Sequence, residues 1–207
     1  METIKNLIFD YGGVIIDLDY NRTKIQFKKL GVENLDAHFT QIKQTRLFDD
    51  LDTGRISNTD FHAQLNQLLN TKLSDKEIDF AWNAMLIGIK QQKFEVLKEL
   101  KKQYRTFLLS NTNAIHLKSI SDYLIKSHRK ENLTEYFDET YYSCEIGLRK
   151  PGPEIFLKVL NDNNLNPSET LFIDDSLQHI EGAKKVGLKT FHYNPSIHSL
   201  GEIILIT

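Results

Sequence analysis

From about residue 90 onward, short apolar runs that stop on a polar or acidic residue alternate with stretches of helical periodicity. That alternation admits few folds. A helix over 90–103 leads into "RTFLLSN", a strand ending at Ser110, and a long helix follows through "AIHLKSISDYLIK". "ETYYSCEIG" reads as the next strand and "GPEIFLKVLNDN" as a helix opening beside two prolines, a common helix start. "TLFIDD" is a strand ending in two acids, "SLQHIEGAKKVG" a helix closed by Gly187, and "KTFHYN" a last strand. Near the N-terminus, "NLIFDYGGVIID" places one more apolar run, cut off by Asp10 and two glycines. These units predict an α/β core built on a parallel sheet.

Between about residues 20 and 88 the pattern is different: helical periodicity with no convincing strand. The segments are "NRTKIQFKKLG", "NLDAHFTQIKQTRLFDDL", "SNTDFHAQLNQLLN" and "SDKEIDFAWNAML". Gly31 and Gly54 fall at helix ends, Ser57 and Ser74 at helix starts, and Ser74 with Glu77 forms a capping-box pattern. Phe48, Phe61, Phe80 and Trp82 are expected to pack this block. The division predicted is a core of residues 1–16 and 89–207 with a helical insertion, a cap, over 17–88.

Composition narrows the class further. At 207 residues the chain can hold one substantial core plus a small inserted unit. Hydrophobic residues make up 40% and charged residues 26%, ordinary for a globular protein. A net charge of −2 gives no electrostatic reason to expect nucleic acid or an acidic membrane as partner. The single cysteine, Cys144, allows neither an internal disulfide nor a multi-cysteine metal site. The N-terminus lacks a signal-peptide pattern, and no apolar run approaches the roughly 18 residues of a membrane span. A cytoplasmic location is the resulting expectation, and oligomeric state is not legible.

Chemistry enters at the strand ends. Asp10, Ser110, Lys150 and the pair Asp174 and Asp175 all lie at or just beyond C-terminal strand tips. In a parallel sheet those tips share one edge, so three acids, a hydroxyl and an amine converge on one crevice. Phosphoryl transfer needs a nucleophile, a cation to offset phosphate charge, and donors for the remaining oxygens. This set supplies each, although Ser110 would also suit a helix N-cap and Lys150 a solvated loop.

"FDYGGVIID", "LLSNTN", "GLRKPGPEIF" and "FIDDSLQHIEGA" resemble, in order, the four motifs of the haloacid dehalogenase superfamily. The resemblance covers essentially the whole chain and extends to the branch with a helical cap between the first and second motifs. It implies a Rossmann-like core, and the chain is most similar to small bacterial sugar-phosphate phosphatases, including those acting on α-D-glucose 1-phosphate. It further implies that Asp10 is a nucleophile forming an aspartyl-phosphate. Mg²⁺ would be held by Asp10, the backbone carbonyl of Gly12 and Asp175, with Asp174 supporting that shell. Ser110 and the amide of Asn111 would hold phosphate oxygens, and Lys150 would neutralise charge. The implied substrate is a small phosphate ester.

One departure stands out. Most phosphatases of this superfamily carry a second aspartate two residues after the nucleophile, which protonates the leaving group; here that position is Gly12. A general acid contributes about 10²–10⁴-fold, so its loss predicts a preference for the better leaving group of an anomeric phosphate over a sugar 6-phosphate. Two other readings stay open: a metal-independent 2-haloacid dehalogenase, against which the doublet Asp174-Asp175 argues by charge, and a catalytically weak binding protein. His179 is expected to be buried or capping rather than part of the site. Asp17 and Asp19, beside a predicted hinge over 16–20, are candidates to touch substrate hydroxyls, with a second hinge near Gly88.

Overall fold

The computed structural model describes residues 3–33, 35–37, 39 and 45–206. Its main sheet has five parallel strands: β1 (Asn6–Phe9), β4 (Arg105–Ser110), β5 (Glu139–Tyr142), β6 (Thr170–Asp174) and β7 (Lys189–His192). Their order across the sheet is β5-β4-β1-β6-β7. The two central apolar runs, Asn6–Phe9 and Thr170–Asp174, are buried throughout. Continuous burial is what a parallel sheet covered on both faces requires of its inner strands. One face packs against α5 (Gln91–Gln103) and α6 (Ala114–His128) through Phe94, Leu97, Leu100, Ile120 and Leu124. The other packs against α8 (Pro153–Asp162) and α9 (Leu177–Lys184) through Ile155, Phe156, Val159 and Ile180.

Register, more than composition, positions the site. Phe9 pairs with Leu108 on one side and Ile173 on the other, so the next residue along, Asp10, emerges beside Asp174 and near Ser110. The Asp10 amide donates to the carbonyl of Ile173 at 2.8 Å, extending the ladder to the acid itself.

Between β1 and α5 lies the predicted helical block: α1 (Tyr20–Lys29), α2 (Arg46–Asp52), α3 (Asn58–Leu69) and α4 (Asp75–Asn83). It has its own apolar core around Phe27, Phe48, Leu51, Phe61, Ile78 and Trp82. Phe39 and Phe48 lie 4.6 and 5.1 Å from the Trp82 ring, contacts each worth about 0.5–1.5 kcal/mol beyond burial. Ser74 and Glu77 make the expected capping box, and Ser57 caps α3. Of the helically periodic segment over 34–51, the described elements are a 3₁₀ turn at Leu35–Ala37 and α2; residues 34, 38 and 40–44 lie outside the described residues.

Three local expectations need correction. Phe80 is 68% exposed, because the packed face of α4 is set by Ile78, Ala81 and Trp82 and position 80 falls on the outer side. The block is not free of strand: β2 (Asp17–Leu18) and β3 (Leu86–Gly88) pair antiparallel, forming a two-stranded ribbon where the chain leaves the core and returns. Elements of two and three residues carry no detectable period. The run "ETYYSCEIG" is a strand only to Tyr142, after which α7 (Ser143–Ile146) begins and ends at Gly147 with φ 70°. No helix among the described residues is long and apolar enough to cross a membrane.

Candidate active site

Lys150 organises the centre. Its Nζ lies 2.7 Å from Asp10 Oδ1, 2.7 Å from Asp174 Oδ2 and 2.9 Å from the carbonyl of Leu109, and the residue is 0% exposed. Burial alone would push its ammonium towards neutrality, but Asp10 and Asp174 outweigh that and raise its pKa. Asn111 fixes the approach: its side chain donates to the Lys150 carbonyl at 2.8 Å and accepts from the Lys150 amide at 2.9 Å. Asp174 is further held by the Ser176 amide at 2.8 Å and His179 Nδ1 at 2.9 Å. Burial opposes its charge, yet Lys150 and His179 keep its pKa below the ordinary value.

Asp10 and Asp175 are less compensated. Burial is the main cause lifting Asp10 to about 6, with Lys150 opposing and Asp174 adding repulsion. Asp175 is lifted to about 7, by burial first and then by the facing charges of Asp10 and Asp174. Carboxylate oxygens of Asp10, Asp174 and Asp175 all come within 4.8 Å of one another. Such a cluster of hard oxygen donors suits Mg²⁺, whose charge would remove the repulsion. Gly13 permits the approach: its φ is 76°, and a Cβ there would stand 2.2 Å from Asp175 Oδ2. Asp174 is bound by both Lys150 and His179, whereas burial and mutual repulsion lift Asp10 and Asp175, the two acids whose charge a cation would most relieve.

Above these groups the helical block closes a crevice. One part is lined by Asp10, Gly12, Asn111, Arg149, Asp175 and His179. A second cavity, of about 90 Å³, extends under the block between Ser110, Asn113, His116, Trp82 and Phe39. Asp52, at the end of α2, lines both. Its Oδ1 accepts from Asn113 Nδ2 at 3.0 Å, and burial lifts its pKa to about 6 against that hydrogen bond. Ser143 Oγ donates to the Asp52 carbonyl, and Arg149 pairs with Asp49, so α2 is tied to the core at three points. His116 stacks on Trp82 with ring centroids 5.2 Å apart, and burial drives its pKa down to about 3. The buried Trp82 Nε1 has no hydrogen-bond partner among the described residues.

Residues 4–187 match the haloacid dehalogenase-like hydrolase family. The chain belongs to that family. It is 36% identical over 188 residues to the D-ribitol-5-phosphate phosphatase of Bacteroides thetaiotaomicron, covering 91% of each chain. It is 27% identical to the glyceraldehyde 3-phosphate phosphatase of Pyrococcus furiosus, over 92% of this chain and 80% of that one. Among solved structures, a mutant of a haloacid dehalogenase-family enzyme from B. thetaiotaomicron, in complex with magnesium and inorganic phosphate, superposes with a TM-score of 0.88. That enzyme is 34% identical, with 97% of this chain and 98% of the other covered.

In this haloacid dehalogenase-like hydrolase the fold brings together every residue singled out at the strand tips: Asp10, Gly12, Ser110, Asn111, Lys150, Asp174 and Asp175. Two hinge candidates are elsewhere. Asp17 is bound to Lys93 at 2.7 Å, and Asp19 caps α1 through the Asn21 amide at 3.0 Å; neither lines the crevice. His179, expected to be structural only, lines the crevice and holds Asp174. Trp82, expected to pack the helical block, does so and also lines the cavity beneath it. Asp52, Arg149 and His116 line the crevice without having been singled out by the sequence, since nothing local distinguishes an acid on a helix end that faces a cleft from one that faces water.

Proposed function

We propose that this hydrolase is a Mg²⁺-dependent phosphatase of a phosphorylated sugar or sugar alcohol, working through a phosphorylated Asp10. The observation that carries the reading is the balance of charge around Lys150: three clustered carboxylates against one buried ammonium. Such a site is unfavourable for a bare haloacid carboxylate and suited to a divalent cation with a phosphate dianion. The names of its relatives, phosphatases of ribitol 5-phosphate and glyceraldehyde 3-phosphate, support the same substrate class.

Each side chain then has a task. Lys150 holds one oxygen of Asp10, which orients the other for in-line attack on phosphorus. Asn111 fixes the loop that carries Lys150, while its amide and Ser110 donate to phosphate oxygens. Mg²⁺ held by Asp10, Asp175 and the Gly12 carbonyl would offset charge on the phosphate. His179 and the Ser176 amide keep Asp174 aimed at Lys150. Under the helical block, the unpartnered Trp82 indole N–H offers a donor to a substrate hydroxyl. The block, residues 17–88, acts as a cap that excludes water during the reaction.

Phosphate release from D-ribitol 5-phosphate, α-D-glucose 1-phosphate and glucose 6-phosphate, with Mg²⁺ and with chelator, tests this reading. Release is expected to need Mg²⁺ and to fall by about three orders of magnitude or more in Asp10→Asn. Metal-independent release of halide from a 2-haloacid, with no phosphate release, would overturn it. The preference for anomeric phosphate expected from Gly12 holds only if the crevice contains no other acid, and the rate ratio of the 1-phosphate to the two primary esters measures it.

A further inference from the structure

We propose that Asp52, carried by the cap, is the general acid and base that the loop after β1 lacks. This rests on the phosphatase reading and adds a residue to it. Among the described residues, Asp52 is the one carboxylate that lines both parts of the crevice, the part containing Asp10 and the cavity beneath the cap. A scissile ester oxygen has to lie at that junction, with phosphorus on the Asp10 side and the alcohol on the cap side. Gly12 lines both parts as well, and contributes no side chain.

The carboxyl is held in place from outside the cap. Asn113, whose own Oδ1 caps α6 through the His116 amide, fixes Asp52 Oδ1, and Ser143 fixes the Asp52 carbonyl. An acid seated on a helix C-terminus also feels the negative end of the helix dipole, which favours the protonated form. Burial acts in the same direction, and a carboxyl near 6 can both give and take a proton close to neutral pH. Other candidates fit less well. Tyr20 lines both parts too, but burial and the neighbouring acids push its phenol well above the usual range. His179 does not line the cap-side cavity and its Nδ1 is engaged with Asp174.

The proton balance closes over two steps. As an Asp10 oxygen bonds to phosphorus and the bridging P–O bond breaks, the Asp52 carboxyl passes its proton to the departing oxygen, and the alcohol leaves. Water then attacks phosphorus and gives its proton to the Asp52 carboxylate. The bond between phosphorus and Asp10 breaks, which releases phosphate and restores both acids.

The test compares esters with poor and good leaving groups. For native protein and Asp52→Asn, kcat/KM would be measured with the fastest of the three sugar and polyol esters above and with p-nitrophenyl phosphate. This ratio reports the steps up to departure of the alcohol, so slower hydrolysis of the phosphorylated enzyme does not obscure it. Asp52→Asn is expected to lower kcat/KM about 10²–10⁴-fold for the sugar or polyol ester and less than about tenfold for p-nitrophenyl phosphate. A burst of p-nitrophenol is expected before steady state, because the second step has lost its base. Equal losses on both esters, or no loss on either, would overturn the role of Asp52 and leave the phosphatase reading standing. Native protein inactive on all four esters would instead overturn the phosphatase reading, and the acid role with it. Retained p-nitrophenyl phosphate hydrolysis shows that the variant is folded; if Asp52→Asn does not fold, Asp52→Ser carries the same comparison.

Discussion

At the scale of the residue, Lys150 and Asp174 keep their charge in the interior by each serving two partners. Lys150 binds Asp10 and Asp174 together, and Asp174 in turn binds His179. Asp52 is an exception: one amide hydrogen bond does not offset its burial, and its pKa rises from 3.8 to about 6. A folded-state pKa above the unfolded value means that the folded protein holds the proton more tightly, so stability falls as pH rises from about 4 through about 6. Asp52→Asn removes that cost. It is expected to be more stable than the native protein at pH 7.5, by up to about 3 kcal/mol for a shift of about two units, with the gain vanishing towards pH 4. Denaturant unfolding at the two pH values measures it. A variant more stable and less active would be the usual signature of a strained functional group.

At the scale of the element, the loop after β1 is held by an interaction far away in sequence. Lys93, on α5, is buried, and its Nζ donates to the carbonyls of Val14 and Ile15 at 2.8 and 3.0 Å and to Asp17 at 2.7 Å. Burial lowers its pKa, with Asp17 opposing. The loop it grips carries Gly12 and Gly13 at one end and the β2–β3 ribbon at the other, so this one amine links the glycine turn to the root of the helical block. Lys93→Met keeps the stem and removes the charge. It is expected to cost about 1–3 kcal/mol by leaving the Val14 and Ile15 carbonyls without their donor, while Asp17 keeps Lys90 at 3.5 Å, and to speed amide hydrogen exchange over residues 11–18. Unchanged exchange there would show that the loop stands without it.

At the scale of the whole molecule, two separately packed cores meet across the crevice. The contact is short and specific: Gly54, with φ 66°, lets the turn after α2 pass so close to α7 that a Cβ would stand 2.2 Å from the Cys144 carbonyl oxygen. Asp49 with Arg149 and Asp52 with Asn113 complete it. A cation that binds the folded carboxylate cluster and not the unfolded chain stabilises by mass action, about 2.7 kcal/mol at 100 times its dissociation constant. Thermal unfolding is therefore expected to shift upward with Mg²⁺ in the native protein. The shift should be much smaller in Asp175→Asn, which removes one of the three clustered carboxylates.

The parallel core and the residues at its strand tips were legible in sequence for one physical reason. A buried parallel strand must be a short apolar run, and the residue that ends it must face the common edge. Asp10, Ser110, Asp174 and Asp175 follow from that rule, and Lys150 from a motif beside them. The helical insertion was legible from its period, and its caps at Ser57 and Ser74 from local hydrogen bonding that involves only neighbours. What the sequence left open depends on contacts between distant segments. Phe80 looked like Phe48 until the α4 packing face was set; β2 and β3 are too short to show a period; Asp17 took its partner from 76 residues away. Asp52 stands 61 residues from the Asn113 that anchors it, and only the docking of the cap on the sheet edge turns a helix-end acid into part of the crevice. Local chemistry thus determined which residues stand at the strand tips, and tertiary packing decided which groups of the helical block face them.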